Sequence, residues 1–208
     1  EAKATIGLVD LALAELREGR PARNAEVPPD EEKAWRMLQL LTAKPVMFVA
    51  NVDEDSAATG NAHSDAVKAR AAEENAACVV ISAKIEAELA LLDSDERAEF
   101  LCEIGLEEPG LNRLIHAGYT LLDLQTYFTA GPKEARAWTI RQGWTAPKAA
   151  GVIHGDFEKG FIRAETTAYD DYVACGGEAG ARDAGKLRQE GKAYVVQDGD
   201  VMLFKFNV

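Results

Sequence analysis

Two short polar segments each follow a run of apolar residues, and both carry side chains able to hydrogen-bond a ligand. The segment 51–54 (Asn-Val-Asp-Glu) follows the apolar run 46–50, and the segment 82–84 (Ser-Ala-Lys) follows the apolar run 78–81. Apolar runs without polar alternation suit strands of a parallel sheet that is buried on both faces. Ligands of open α/β sheets bind outside the carboxyl ends of the strands. The two segments are therefore predicted to meet at one ligand site.

The chemistry of these side chains suits the edge of a purine base. P-loop GTPases carry N-K-x-D and S-A-K at the two places, and their aspartate accepts two hydrogen bonds from guanine. Here Val52 replaces the lysine, and the acid is the longer Glu54. A carboxylate one methylene longer crowds guanine and costs about 1–3 kcal/mol for each unmatched group. Asn51 can instead accept from the adenine amine and donate to a ring nitrogen, so the segments predict adenine.

A simple turn is the alternative interpretation of residues 51–54. The side chains of Asn51 and Asp53 could hydrogen-bond their own backbone, as Asn and Asp commonly do in turns. A four-residue motif is a weak signal when it stands alone. The second segment, one strand-helix-strand unit later, is what favours a ligand site.

The two apolar runs and a helix between them are predicted to form one βαβ unit, which would position the two polar segments. A helix over residues 65–76, capped by Ser64, connects the two strands through a crossover that is right-handed in nearly all proteins. Two strands do not make a stable doubly wound sheet. The rest of the sheet is therefore expected outside this chain.

The start of the chain predicts a helical arm. The helix covers residues 2–18 and ends at the segment 19–21 (Gly-Arg-Pro). Its apolar residues follow the three- and four-residue spacing of a coiled-coil seam: Ile6, Val9, Leu13 and Leu16. Because the first residue is Glu and already lies within this helical pattern, we expect a fragment of a longer protein.

From about residue 124 the sequence pattern changes and predicts short strands bounded by Gly, Pro or Asp. A hairpin is predicted over residues 125–129 and 135–140, followed by a strand over 160–167. Two closing strands, 193–196 and 201–207, are predicted on either side of a tight turn at 198–200. Short helices at 147–153 and 169–174 complete a compact α+β module.

The composition of the chain argues against some classes of function. The chain is 47% hydrophobic and 28% charged, with a net charge of −12, as expected of a soluble globular protein. This acidity argues against broad capture of nucleic acid and against sequence-specific DNA binding, but it leaves room for a small basic patch on one domain. Cys78, Cys102 and Cys175 match no metal pattern and are interpreted as reduced thiols of a cytoplasmic protein.

Longer stretches of the sequence resemble the YchF branch of the Obg-like ATPases. The resemblance covers essentially the whole chain and is carried by seven stretches: residues 45–54, 82–89, 105–113, 125–131, 156–164, 198–202 and 206–208. It implies a fold in three parts: part of a helical coiled-coil arm (1–27), the C-terminal part of an α/β P-loop G domain (28–120), and an α+β TGS domain of ubiquitin-like β-grasp fold (121–208).

The resemblance also implies a function and a set of site residues. It implies an ATPase that prefers ATP over GTP and associates with the ribosome. Asn51, Val52 and Glu54 would contact or frame the adenine, and Ser82 and Ala83 would support it from behind. The expected partners are ATP and the ribosome or one of its subunits, reached through the TGS and helical regions, with no membrane.

The chain departs from that family pattern in its phosphate chemistry. The phosphate-binding loop and the ligands of the Mg²⁺ that accompanies ATP are not found in this sequence, so the chain alone is expected to be inactive and to contain no catalytic residue. The segment 180–187 has the spacing of a phosphate loop, but Leu187 replaces the required Ser or Thr. It is interpreted as a turn and helix at the surface.

Two other interpretations remain open at this stage. The chain could be a non-catalytic TGS module that docks on the ribosome, on RNA or on a protein, or it could be a purely structural partner-binding product. Lys159 and Arg163 could contact ribosomal RNA phosphates, or could simply be solvated charges. His63, His116 and His154 share no metal-ligand spacing, and no metal site is expected.

Overall fold

A computed structural model describes residues 2–207, and the chain divides into two units between Leu121 and Leu122. The first unit holds the helices α1 (Ala2–Arg17), α2 (Glu32–Met37), α3 (Ala62–Glu73), α4 (Ala83–Leu89), α5 (Ser94–Glu103) and α6 (Gly110–Leu121), and the strands β1 (Met47–Asn51) and β2 (Ala77–Ile81). Short 3₁₀ helices lie at Ala22–Asn24, Leu41–Ala43 and Glu54–Ser56.

The arm helix α1 buries a different face from the predicted one. Leu8 and Ala12 are buried against Ala22 and Trp35. The residues of the predicted seam lie outside this core: Ile6, Val9 and Leu16 are exposed, and Leu13 is half-buried. Their packing against a partner helix stays a prediction. The small Ala12 allows close approach of the segment around Ala22. Since alanine carries little weight in an apolar pattern, the buried face was hidden from sequence reasoning.

Strands β1 and β2 pair in parallel, as the two apolar runs predict, with Asn51 opposite Ile81. The helix α3 between them begins one turn earlier than predicted. Asn61 is its N-cap and accepts hydrogen bonds from the amides of His63 and Ser64, while the Ser64 hydroxyl bonds back to Asn61. Ser64 is therefore the third helical residue of a capping box rather than the cap itself.

The sheet of the first unit is not buried on both faces. Ala50 is buried, but the side chain of Val49 on the opposite face is 44% exposed. Among the described residues, one face of β1 is therefore covered and the other is open, and burial of both faces stays a prediction. In a two-stranded sheet, burial of one face by helices leaves the alternate residues open to solvent.

The second unit is built on a five-stranded mixed sheet. Its strands are β3 (Leu124–Ala130), β4 (Ala135–Arg141), β5 (Phe161–Ala168), β6 (Arg188–Glu190) and β7 (Asp200–Phe206), in the order β4-β3-β7-β5-β6. Its helices are α7 (Ala146–Ile153), α8 (Gly155–Lys159), α9 (Tyr169–Ala174) and α10 (Glu178–Asp183). The first and last strands, β3 and β7, are parallel, and the other neighbouring strands are antiparallel.

The core of this unit lies between α7 and one face of the sheet. Ala146, Ala149 and Ala150 of α7 are fully buried against Tyr127 and Ile140. The Tyr127 hydroxyl donates to the carbonyl of Ala149 at 3.0 Å, and burial raises the pKa of this phenol. Small residues on the helix let its backbone approach the sheet closely enough for that hydrogen bond.

Of the closing hairpin predicted for residues 193–207, the strand 201–207 is confirmed as β7, whereas the strand 193–196 is wrong. Val195 forms only an isolated bridge to Thr145, and the amide of Val196 donates to the carbonyl of Trp144 at 3.0 Å. The strand that borders β5 is instead β6, whose sequence Arg-Gln-Glu carries no apolar pattern. A three-residue polar edge strand gives no period-two signal, so it could not be predicted.

A buried carboxylate holds the loop that precedes β7. Asp200 is 2% exposed, and its Oδ2 atom accepts hydrogen bonds from the Tyr194 hydroxyl at 2.6 Å and from the Gln197 amide at 2.9 Å. Its Oδ1 atom lies 3.4 Å from the Arg188 guanidinium. Burial, together with the hydrogen bond to Asp200, raises the pKa of Tyr194. This cluster ties β6, the loop and β7 together.

Candidate functional site

The two polar segments meet at one end of the β1–β2 pair. The Val52 amide donates to the carbonyl of Ile81 at 2.8 Å, which extends the strand pairing by one bond. The Oδ1 atom of Asn51 then accepts from the amide of Ala83 at 2.9 Å. Residues 32 positions apart in the sequence are thereby joined at the carboxyl ends of both strands.

Asn51 is exposed at this junction and keeps one hydrogen-bonding group available. Its carbonyl oxygen, expected to accept from the adenine amine, accepts instead from the Ala83 amide, whereas its amide nitrogen has no hydrogen-bond partner within residues 2–207. The bond to Ala83 fixes the orientation of the side-chain amide. A fixed, unpaired N–H₂ group can donate to an acceptor such as a ring nitrogen of a base.

Asp53 hydrogen-bonds the backbone of its own loop, as the turn interpretation predicts, whereas Asn51 hydrogen-bonds a residue of the second polar segment. The Asp53 Oδ1 atom accepts from the amide of Ser56 at 3.0 Å, so Asp53 is the N-cap of the short helix Glu54–Ser56. Its carboxylate is therefore used to shape the loop. The cap sets the direction in which the next residue, Glu54, leaves the backbone.

Glu54 is held by a lysine to which the sequence gave no role. The Lys84 ammonium lies 2.6 Å from the Oε1 atom of Glu54, and the two side chains are 67% and 45% exposed. The hydrogen bond with Glu54, followed by the charge of that carboxylate, raises the pKa of Lys84. One carboxylate oxygen of Glu54 is thus engaged, and Oε2 has no hydrogen-bond partner among the residues that the structure describes.

The remaining predicted residues frame this junction. Val52 is half-buried and Ala83 is exposed at the first position of α4. Ser82 is 3% exposed, and its hydroxyl has no hydrogen-bond partner within the described part of the chain. The structure therefore brings all five predicted residues to one place, with Asn51 and Glu54 presenting polar groups outward.

The carboxylate of Glu86, to which the sequence analysis gave no role, connects helix α4 to the start of α6. The Oε1 atom of Glu86 accepts from the amide of Gly110 at 2.7 Å, and Oε2 accepts from the amide of Leu111 at 3.2 Å. Glu86 thereby caps α6, where a negative charge is favoured. A Cβ atom at Gly110 would lie 2.9 Å from Glu86 Oε1 and from Ile81 Cγ2, so glycine allows this close approach. A sequence gives no pairing between positions 24 residues apart.

Other candidate residues of the sequence do not form a site. The segment 180–187 begins within the helix α10, and the element before α10 is the helix α9 rather than a strand. His154 accepts from the amide of Asp156 at 3.2 Å and caps α8. In the part of the chain that the structure describes, no three His, Cys, Asp or Glu side chains are placed to hold a metal ion. Over the same residues, no helix combines the length and apolarity needed to cross a bilayer.

Comparison with known proteins gives consistent similarities over the whole chain. Residues 124–207 match the family YchF-GTPase_C, described as a protein of unknown function (DUF933). The "Ribosome-binding ATPase YchF" of Escherichia coli O157:H7 is 53% identical over 208 residues, which cover 100% of this chain and 57% of that protein. The protein of the same name from Bacillus subtilis is 53% identical over 202 residues, covering 94% of this chain and 55% of its own length.

Solved structures show the same relationship. The Schizosaccharomyces pombe YchF GTPase superposes with a TM-score of 0.81 at 34% identity, covering 98% of this chain and 54% of that one. A GTP-binding protein from Pyrococcus horikoshii shares the fold at 17% identity with a TM-score of 0.57. The chain therefore spans little more than half the length of the relatives that it matches.

Proposed function

The chain belongs to the YchF family, whose C-terminal domain it carries in residues 124–207, and we propose that it is the C-terminal part of a ribosome-associated P-loop NTPase that prefers ATP over GTP. Asn51, Val52, Glu54, Ser82 and Ala83 form the part of its nucleotide site that recognises adenine. The phosphates and Mg²⁺ are bound by other parts of the complete protein, which acts in the cytoplasm.

The observation that carries this proposal is the ion pair between Lys84 and Glu54. Guanine presents two adjacent N–H donors on its recognition edge, and a carboxylate matches them best with one oxygen directed at each donor. Adenine presents a single exocyclic amine there. With Oε1 engaged by Lys84 at 2.6 Å, Glu54 offers one well-placed acceptor, which suits adenine and leaves one guanine donor unmatched.

Asn51 complements Glu54 in this proposal. Its free amide nitrogen donates to an acceptor nitrogen of the purine ring, and its bond to Ala83 keeps that donor in place without a further loss of entropy on binding. A ring nitrogen acceptor is common to both purines. Asn51 therefore supplies affinity, whereas Glu54 supplies the preference for adenine.

The second unit supports a docking role. Its parallel first and last strands lie side by side in the middle of a five-stranded sheet and are flanked by antiparallel neighbours. This arrangement supports the β-grasp fold that we propose for a TGS domain of residues 121–208. The relatives' name, ribosome-binding ATPase, points to the ribosome as the partner.

A selectivity switch tests the adenine assignment. Replacing Val52 by lysine together with Glu54 by aspartate is expected to reverse the ATP preference by roughly tenfold or more, because the shorter carboxylate can pair with both guanine donors, and one mismatch costs about 1–3 kcal/mol. The measurement is a ¹H–¹⁵N NMR titration of the chain with ATP and with GTP. The matched control, Ala69→Lys with Glu73→Asp on exposed positions of α3, should leave the ratio unchanged. An unchanged ratio in the first variant would rule out the proposed role of Glu54.

A further inference from the structure

We propose that the edge of the second unit's sheet formed by β4 and the turns on either side of it binds the phosphodiester backbone of RNA. This β4 edge is defined by four cations and two tryptophans: Lys133, Arg136, Arg141, Lys148, Trp138 and Trp144. The inference builds on the proposed association with the ribosome and assigns it to a specific surface and a specific chemistry.

The charge of the β4 edge contrasts with that of the chain. Residues 131–148 contain four cations and one carboxylate, a net charge of +3, in a chain whose net charge is −12. None of the four cations has a carboxylate within salt-bridge distance among the residues described here. Five other cations of the same unit are each paired with an acidic side chain: Arg163, Arg182, Lys186, Arg188 and Lys205. Six cations of the unit have no such partner among the described residues, and four of them lie in the segment 131–148, the other two being Lys159 and Lys192.

The tryptophans hold two of these cations in position. The Arg136 guanidinium lies 4.0 Å from the centre of the Trp138 ring, and the Lys148 ammonium lies 4.3 Å from that of Trp144. The Trp138 indole N–H in turn donates to the Thr129 hydroxyl at 2.9 Å. A guanidinium stacked on an aromatic face keeps its in-plane N–H donors free for a phosphate. Its orientation is already set, which lowers the entropy cost of binding.

The length of the edge fits a nucleic-acid backbone. Strand β4 has seven residues, with β3 as its one neighbouring strand in the described sheet. At about 3.4 Å per residue the strand spans roughly 24 Å. A nucleic-acid strand carries one phosphate per nucleotide, so Arg136 and Arg141, five positions apart on opposite faces of β4, can flank one backbone that runs along the edge.

The same surface is poorly suited to a protein partner. The exposed residues between Arg136 and Arg141 are small, namely Ala137 and Thr139, whereas protein interfaces depend on large apolar anchors that enter pockets. Cations along an edge strand also oppose pairing with a strand of another protein. Phosphate binding requires only spaced cations and free donors, and the β4 edge has both.

The test compares two variants that remove the same charge. The first is R136Q/R141Q/K148Q on the β4 edge, and the second is R182Q/K186Q/K192Q elsewhere on the same unit. Binding of the chain to a fluorescein-labelled oligouridylate of about 20 nucleotides is followed by anisotropy over a series of salt concentrations. The first variant is expected to bind about tenfold or more weakly, with a salt slope lower by about 2, because each phosphate contact to a single strand contributes about 0.7. The second should change affinity less than about twofold.

Several results would overturn the inference. Equal weakening by both variants would show an effect of net charge alone, and equally tight binding of a labelled decaglutamate would indicate an acidic protein partner. Normal RNA binding by the first variant, together with self-association in size-exclusion chromatography, would show that the cations prevent strand pairing at this edge rather than bind RNA. Thermal melts confirm that both variants fold.

A parallel co-sedimentation with ribosomes separates this inference from the proposed function. If the chain and the β4 variant sediment with ribosomes equally well, the β4 edge is not the contact and the ribosome association stands. If neither sediments, the ribosome association itself fails.

Discussion

Replacing Asn51 by aspartate is expected to remove saturable ATP binding while leaving the fold intact. The aspartate keeps an oxygen that can accept from the Ala83 amide, as Asn51 Oδ1 does at 2.9 Å. It replaces the free amide donor with a carboxylate oxygen, which repels an acceptor nitrogen of the base. Losing one hydrogen bond and gaining this repulsion is worth about 1.4 kcal/mol or more, a factor of about ten in affinity. NMR titration with ATP measures the loss.

Two further variants identify the cause of that loss. Asn112→Asp makes the same chemical change at an exposed position of α6 and should bind ATP as the unmodified chain does. Asn51→Ala removes the acceptor as well, so it is expected to weaken both ATP binding and the junction between β1 and α4. Normal ATP binding by Asn51→Asp would show that Asn51 has only a structural role.

The second large effect is expected at Asp200, in the other unit. Replacing it by alanine should lower the free energy of unfolding of this unit by about 3 kcal/mol, because the Tyr194 hydroxyl and the Gln197 amide lose a partner that is 2% exposed. Arg188 also loses its nearby charge. Urea unfolding followed by the fluorescence of Trp138 and Trp144, in a Trp35→Phe background, measures the change.

Controls for Asp200 use the same residue types at other positions. Asp183→Ala removes an exposed carboxylate at the end of α10 and should change the unfolding free energy by less than about 0.5 kcal/mol. Tyr194→Phe removes only one of the hydrogen bonds and should fall between the two. A loss at Asp200 no larger than that at Asp183 would show that the cluster does not hold β6, the loop and β7 together.

The parts of the fold that could be predicted are those with a strong local pattern. The apolar runs at 46–50 and 78–81 gave β1 and β2 to within one residue, because continuous apolar residues mark a buried parallel pair. The buried face of α1 was missed because Ala12, rather than a large apolar residue, makes the close contact. The strand β6 was missed because its three residues are polar.

The candidate site also has features that could be predicted from the sequence and features that could not. Its residues and their place at the strand ends could be predicted, because both follow from residue type and spacing. The contacts that give the site its chemistry could not: Asn51 with Ala83, Lys84 with Glu54, and Glu86 with the start of α6. Each joins positions far apart in the chain, so each depends on strand register and helix packing rather than on local sequence.

The most direct test of the central claim is a comparison of ATP and GTP on the unmodified chain. In an NMR titration with millimolar nucleotide, ATP is expected to shift the amides of Val52, Glu54 and Ala83 with at least several-fold higher affinity than GTP. Binding should be weak, since phosphate contacts supply much of a nucleotide's affinity, and no phosphate should be released from ATP. Equal or tighter binding of GTP, or ATP-dependent shifts that avoid these three residues, would contradict an adenine site at the ends of β1 and β2.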